Sequence, residues 1–313
     1  MDLFVSVIIP TYEREDCLVN LLKHLFAQDY KNYEIIVVDQ SSRLTEKTIH
    51  LIKSNKNKFF HYFHIKQKGR SVAKNFGIQQ SKGDIVLFCD DDIVPPNNFI
   101  AAHVKNYKNP NLGAVSCRLV EEGQPSVPIK HVLESTWYGR FINRPYSTYS
   151  TFITSLNGGN MSFRREALIK AGFFEEKLIG TSMVEEPDIA FRIIKNGYKI
   201  YFDSSVTVFH FPQKDGNIAT MNFKLYEWFE NYSYNVLLHF AKYGRWLNIP
   251  FVLVYLFMVI NKNISFKGKG FIKGYYIFIK AFNGLREGYC IYRNSPKIFY
   301  TPERITKNII NQY

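Results

Sequence analysis

Three consecutive carboxylates, Asp90, Asp91 and Asp92, follow the apolar run Ile85 to Cys89 and precede Ile93, Val94 and Pro95. Adjacent carboxylates at a strand end repel one another and lose hydration when buried, and a divalent cation relieves both costs. Oxygen ligands suit Mg²⁺ or Mn²⁺, which can bridge a protein carboxylate to the phosphates of a nucleotide. In an irregular loop the same triplet would simply face water. Two further polar residues end apolar runs: Asp39 after Tyr33 to Val38, and His210 after Val206 to Phe209.

These residues need a frame. Leu3 to Ile9 reads as a short strand ending at Pro10, and Cys17 to Phe26 carries apolar residues at helical spacing. Tyr33 to Val38 is a second strand, Gln40 to Lys58 contains a helix, and Phe59 to Ile65 is a third extended segment. Ser71 to Gln80 reads as a helix, and Ile85 to Cys89 as a nearly all-apolar strand. Short buried strands separated by helices predict an α/β domain with a largely parallel sheet, whose ligand site lies at the carboxyl ends of the strands. Further on, Asn97 to Tyr107 predicts a helix and Ala114 to Val120 a strand. Asn160 to Arg164, Ala167 to Lys170, Pro187 to Lys195 and Lys199 to Phe209 predict strand, helix, helix and strand. Glu121 to Ser155 has mixed composition and poor periodicity, which fits surface loops or an acceptor-facing insert.

The chain of 313 residues is long enough for a core domain with an appendage, and with 46% apolar residues it can bury a large core. Its net charge of +13 is unevenly placed: residues 1 to 230 carry +3, whereas residues 231 to 313 carry +10. The excess lacks any recognised nucleic-acid reading module, which argues against nucleic acid as a partner. Cys17, Cys89, Cys117 and Cys290 have neither metal-site nor disulfide-framework spacing, and the N-terminal residues do not read as a signal peptide. A reducing, cytoplasmic location is the expectation.

Five ordered segments together resemble family 2 glycosyltransferases. Val5 to Tyr12, Glu34 to Asp39 and Gly83 to Asp92 are similar to the nucleotide-sugar half of that family, and Asn157 to Arg165 and Glu185 to Arg192 to its acceptor half. The resemblance implies a GT-A fold, in which a nucleotide-binding α/β sheet is continuous with a more variable acceptor region. It implies inverting transfer from a nucleotide-sugar, UDP-linked, to a glycan or lipid-linked glycan hydroxyl in bacterial surface-polysaccharide synthesis. A catalytically inactive nucleotide-sugar or glycan-binding scaffold is the alternative that keeps the same binding residues.

Carried over position by position, the resemblance places Thr11, Tyr12 and Glu13 along the nucleotide pocket and Asp39 at the base. Arg70 is the expected phosphate-side contact. Asp90 matches a ribose or donor-sugar contact, Asp92 the metal ligand, with Asp91 assisting and His210 as a second metal ligand. Glu186 matches the catalytic base, although many relatives carry Asp there, and Glu185 accompanies it. Gly158, Gly159 and Asn160 would turn beside donor sugar and acceptor, since glycine permits close backbone approach. Asp188 would orient the acceptor or cap the helix that begins near Pro187.

Residues 1 to 220 are thus the expected GT-A domain, and 221 to 313 a helical, basic and aromatic tail. The run Phe251 to Ile260 is short for a membrane span, and no acid occurs from Asn231 to Arg286, where Lys262, Lys267, Lys269, Lys273, Lys280 and Arg286 lie among Phe, Tyr and Ile. That composition fits an anionic membrane surface, with peripheral attachment on its cytoplasmic face. Lys273 to Gly288 also resembles the C-terminal segment of membrane-linked family members, and its pattern equally fits a helix docked on the core or at an oligomer interface.

Overall fold

The computed structural model describes residues 2–43, 45–54, 59–211, 225–263 and 269–294. The first half alternates as predicted: β1 (Val5–Thr11), α1 (Glu15–Phe26), β2 (Tyr33–Asp39), α2 (Glu46–Ser54), β3 (Phe60–His64), α3 (Arg70–Gln80) and β4 (Ile85–Cys89). Helix α1 buries Cys17, Leu18, Leu21, Leu22 and Leu25 on one face, with Glu15 and Asp16 in its first turn and Lys23 and His24 in its last, the arrangement its dipole favours. Strand β4 is buried at every position, which accounts for its unbroken apolar sequence.

A short β5 (Ile93–Val94) leads into α4 (Phe99–Val104), which tightens into a 3₁₀ turn at Lys105–Lys108 where one longer helix was expected. Next come β6 (Leu112–Val120), β7 (Leu133–Ser135), β8 (Phe141–Asn143), β9 (Thr151–Phe152) and β10 (Asn160–Arg164). The aperiodic stretch therefore contains a β7–β8 hairpin and a short strand, elements too brief to leave a periodic signal. The core is completed by α5 (Arg165–Ala171), α6 (Glu185–Lys195) and β11 (Lys199–His210).

The main sheet runs β3-β2-β1-β4-β10-β6-β11-β5, with β9 beside β11. Strands β1 to β4 are mutually parallel, whereas β10 lies antiparallel between β4 and β6. The sheet is mixed rather than largely parallel, and the reversed strand has a local purpose. Its register pairs Asn160 with Cys89, so the chain just before β10 arrives beside the carboxyl end of β4. At the far edge His210 pairs with Ile93, which brings the end of β11 to Asp92.

Beyond residue 224, α7 (Leu225–Lys242), α8 (Ile249–Asn263) and α9 (Lys269–Asn294) form a helical region docked on the core. Phe229, Val236, Leu237 and Phe240 of α7 join Val252 and Leu256 of α8, Ile277 and Ala281 of α9, and Val184 of the core in one apolar cluster. A Cβ at Gly284 would strike the Tyr234 backbone, so that glycine sets how closely α9 lies on α7. Outward, α8 exposes Phe251, Val254, Phe257 and Met258, and α9 exposes Tyr275, Tyr276, Phe278 and Phe282. No helix among the described residues is long and apolar enough to cross a membrane. The expected boundary at residue 220, together with Lys267 and the final nineteen residues, lies outside the described residues, as do the side chains of Lys262, Lys269 and Lys273.

Candidate active site

The turns after β1 and β2 are tied together. Glu13, at φ 54°, donates its N–H to Ser41 Oγ at 2.8 Å and accepts from the Ser42 N–H at 2.7 Å. Asp39 is buried, accepting from the Ser41 N–H at 2.7 Å and from the Tyr62 hydroxyl. Lys68 Nζ stands 4.3 Å from the centre of the Tyr12 ring. Thr11 donates to Asp91 Oδ2 at 2.7 Å, linking this group to the acidic triplet.

Each carboxylate of the triplet has a different environment. Asp90 receives both its bonds from one Arg70 nitrogen, at 2.6 and 2.8 Å. Burial opposes its ionisation, yet the charges of Arg70 and Lys74 hold it below the usual carboxylate range. Asp91 is turned into the protein toward Thr11 and Arg14, and burial pushes it up to about 6 despite those partners. Asp92 bonds Arg14 at 3.0 Å, while its Oδ1 is buried, accepts no hydrogen bond among the described residues and stands 3.2 Å from His210 Nε2. His210 Nδ1 meets Glu121 Oε1 at 2.9 Å. Burial works against the imidazolium, but Asp92 and Glu121 outweigh it and raise His210 to about 9.

A divalent cation fits these residues. An orphaned carboxylate oxygen facing an imidazole nitrogen is a donor pair, and Mg²⁺ is commonly held by one or two protein ligands plus substrate phosphates. Among the described residues no cluster of three or more His, Cys, Asp or Glu side chains could hold the ion alone.

The paired glutamates diverge. They open α6 directly after Val184, whose φ of 83° is a strained conformation for a β-branched residue. Glu185 turns inward and is 1% exposed, bonded by Lys74 Nζ at 2.6 Å and Ser71 Oγ at 3.0 Å. Glu186 lines the cavity. Burial, then the charge of Glu185, raise it to about 6, against the pull of Lys74 and Arg70. A Cβ on Gly158 would collide with Glu186 Oε1, and one on Gly159 would come within 3.0 Å of Asp90 Oδ2. The two glycines are therefore the wall against which both carboxylates rest.

Of the residues singled out by sequence, Arg70, Asp90, Gly158, Gly159, Glu186 and His210 line one cavity of about 570 Å³. Thr11, Tyr12, Glu13 and Asp39 form the adjoining group at the ends of β1 and β2, outside that lining. Two expected acceptor contacts lie elsewhere. Asn160 is buried, its Oδ1 2.8 Å from His103 Nε2, because the first residue of β10 turns into the sheet. Asp188 is fully buried against Arg192 at 2.8 Å, His239 at 3.0 Å and Lys242 at 2.8 Å. Burial opposes its charge, yet Lys242 and Arg192 keep it well below the usual range. It joins α6 to α7 and has no surface to offer an acceptor.

Sequence reasoning missed Arg14, which braces Asp91 and Asp92, and Glu121 behind His210, and it placed Lys74 on the helix before the acidic strand without its contact to Glu185. It also missed Trp228, Tyr232 and Tyr255, which wall the cavity from α7 and α8. Only their helical spacing of four, Trp228 to Tyr232, was visible as a signal.

A mixed sheet with acidic residues at the ends of β2 and β4, closed by an antiparallel strand and a carboxylate-bearing helix, has the GT-A architecture. The model of glycosyl transferase family 2 matches residues 6–172, and the chain belongs to that family. An uncharacterized glycosyltransferase of Rickettsia bellii is 35% identical over 116 residues, 33% of this chain and 16% of that protein. A dolichyl N-acetyl-α-D-glucosaminyl phosphate 3-β-D-2,3-diacetamido-2,3-dideoxy-β-D-glucuronosyltransferase of Methanococcus voltae is 26% identical over 235 residues, 65% of each chain. The poly-β-1,6-N-acetyl-D-glucosamine synthase of Staphylococcus aureus is 24% identical over 207 residues, 64% of this chain and 48% of the synthase. The chain thus spans less than two thirds of the length of these curated relatives. Among solved structures, S. aureus TarS 1-349 in complex with UDP-GlcNAc superposes with a TM-score of 0.62 at 15% identity, covering 93% of this chain and 92% of that one. A mannosyltransferase of Pyrobaculum calidifontis in complex with GDP-Man and Mn²⁺ gives 0.55 at 18% identity, covering 99% and 81%. At these identities the superpositions speak to the fold.

Proposed function

We propose that this chain is an inverting glycosyltransferase that moves a sugar from a nucleotide donor, UDP-linked, to a hydroxyl of a glycan or lipid-linked glycan in bacterial surface-polysaccharide assembly. The observation that carries the reading is Glu186, a carboxylate of raised proton affinity held against Gly158 in the same cavity as Asp90, Arg70 and His210. Glu186 accepts the proton of the acceptor hydroxyl as that oxygen bonds to the anomeric carbon. The bond to the leaving phosphate oxygen breaks with its electron pair going to the nucleoside diphosphate. Asp39 accepts from the base, Thr11, Tyr12 and Glu13 border it, and Asp90, held by Arg70, receives a sugar hydroxyl. Asp91 keeps Arg14 in place. Mn²⁺ or Mg²⁺ at Asp92 and His210 would supply Lewis-acid stabilisation of the leaving diphosphate.

The apolar outer faces of α8 and α9, with Lys280 and Arg286 on α9, support peripheral contact with an anionic membrane surface on the cytoplasmic side. Incubation with a nucleotide-sugar panel, Mn²⁺ or Mg²⁺, and free and lipid-linked glycan acceptors tests the activity by product mass. No transfer from any donor would count against it. Flotation with phosphatidylglycerol vesicles tests the attachment: an intact chain that stays at the bottom of the gradient refutes it.

A further inference from the structure

We infer that the end of the cavity walled by α7 and α8 is a subsite for a neutral pyranose, the acceptor's sugar, stacked on aromatic side chains. The inference rests on the glycosyltransferase reading and gives it a substrate class. Trp228 and Tyr232, one turn apart on α7, stack with ring centres 5.2 Å apart and an interplanar angle of 19°. Tyr255 of α8 lines the same cavity, and Phe141 of β8 packs against the apolar cluster that contains Tyr232. Trp228 remains 37% exposed although it lines the cavity, which leaves aromatic surface free for a ligand.

Polar groups stand beside this wall. Asn143 and Asn157 line the cavity too, and their amides approach each other only to 3.5 Å, at the limit of a hydrogen bond. Aromatic surface with a few placed amides suits a sugar ring, which offers an apolar C–H face and hydroxyls on its edge. Charge decides the class of sugar. These six residues carry no formal charge, and the guanidinium in the lining, Arg70, is already engaged by Asp90. A uronate or phosphate placed against this wall would lose its hydration without gaining a partner.

Trp228, Tyr232 and Tyr255 all lie beyond the stretch matched by the family model, so this part of acceptor selection belongs to the C-terminal helices. The test is ligand-observed NMR on the full chain loaded with UDP or GDP and Mn²⁺, using methyl β-N-acetylglucosaminide and methyl β-galactoside against methyl β-glucuronide and N-acetylglucosamine 1-phosphate. At least one neutral glycoside should bind about tenfold more tightly than either charged one. Trp228→Ala should weaken that binding about tenfold and Trp228→Phe should largely keep it, with nucleotide affinity unchanged in both as the check that the variants fold. The inference is overturned if charged glycosides bind equally well, if Trp228→Ala leaves glycoside binding as it was, or if no neutral glycoside binds. Loss of nucleotide binding by the unaltered chain would instead overturn the underlying reading.

Discussion

Gly158 and Glu186 are in contact: the space that a Cβ at residue 158 would need is occupied by Glu186 Oε1. The base is therefore aimed by the absence of a side chain across from it. Gly158→Ala should push the carboxylate aside and lower kcat about 10- to 100-fold with little change in donor affinity, read by steady-state kinetics beside nucleotide titration. Unchanged kcat would mean that the carboxylate position is not tied to this glycine.

Glu186→Gln keeps the shape of the side chain and removes its basicity. Transfer should fall about 10²- to 10⁴-fold, the usual contribution of a general base, while nucleotide binding persists. Full activity in the amide variant would reject the assignment.

The same residue sets a pH dependence. Its folded-state pKa of about 6 exceeds the ordinary glutamate value of 4.5, burial being the main cause and Glu185 the next. The base form is lost as pH falls through 6, so kcat should decline about tenfold per unit below that point. For stability the sign is opposite. The folded protein holds this proton more tightly than the unfolded chain, so the cost of the buried charge is present above pH 6 and is relieved as pH falls toward 4.5. A kcat profile flat from pH 7 to about pH 5 would contradict the role.

Lys242 bridges Asp188 and Glu175, each at 2.8 Å and all three buried. Lys242→Met would remove the cation shared by the two buried carboxylates, while Asp188 keeps Arg192, a loss of about 3 to 5 kcal/mol measurable by denaturant unfolding. A melting transition equal to that of the unaltered chain would show that the cluster does not join α6 to α7 energetically.

Glu121 fixes His210 through Nδ1, leaving Nε2 toward Asp92. Glu121→Gln should weaken Mn²⁺ affinity about 10- to 100-fold by calorimetry, the usual effect of removing such a supporting partner. Equal affinity would separate Glu121 from the metal.

The strands and helices of the first ninety residues were legible because each carries an unbroken apolar run or a helical stripe of its own, as in β4 and α1. The acidic triplet could be located on the same grounds. Its division of labour could not, because Asp91 and Asp92 are distinguished by Arg14, and Asp90 by Arg70, through contacts that span at least twenty residues of chain. Asp188 reads as a helix-capping residue only while α7 is unplaced. The tail's aromatic residues, uniform in composition, divide in space between an outer surface and a cavity wall.

The reversed strand β10 also binds the two halves of the chain into one object. Its neighbour β6 is covered on the other side by β11, which lies past residue 172 along with α6 and its glutamates. A fragment ending where the family match ends would leave β6 as an open edge ready to pair with a second molecule, and would have no base. The segment by which the chain is recognised is therefore smaller than the segment that can be inherited, exchanged or expressed as a working part.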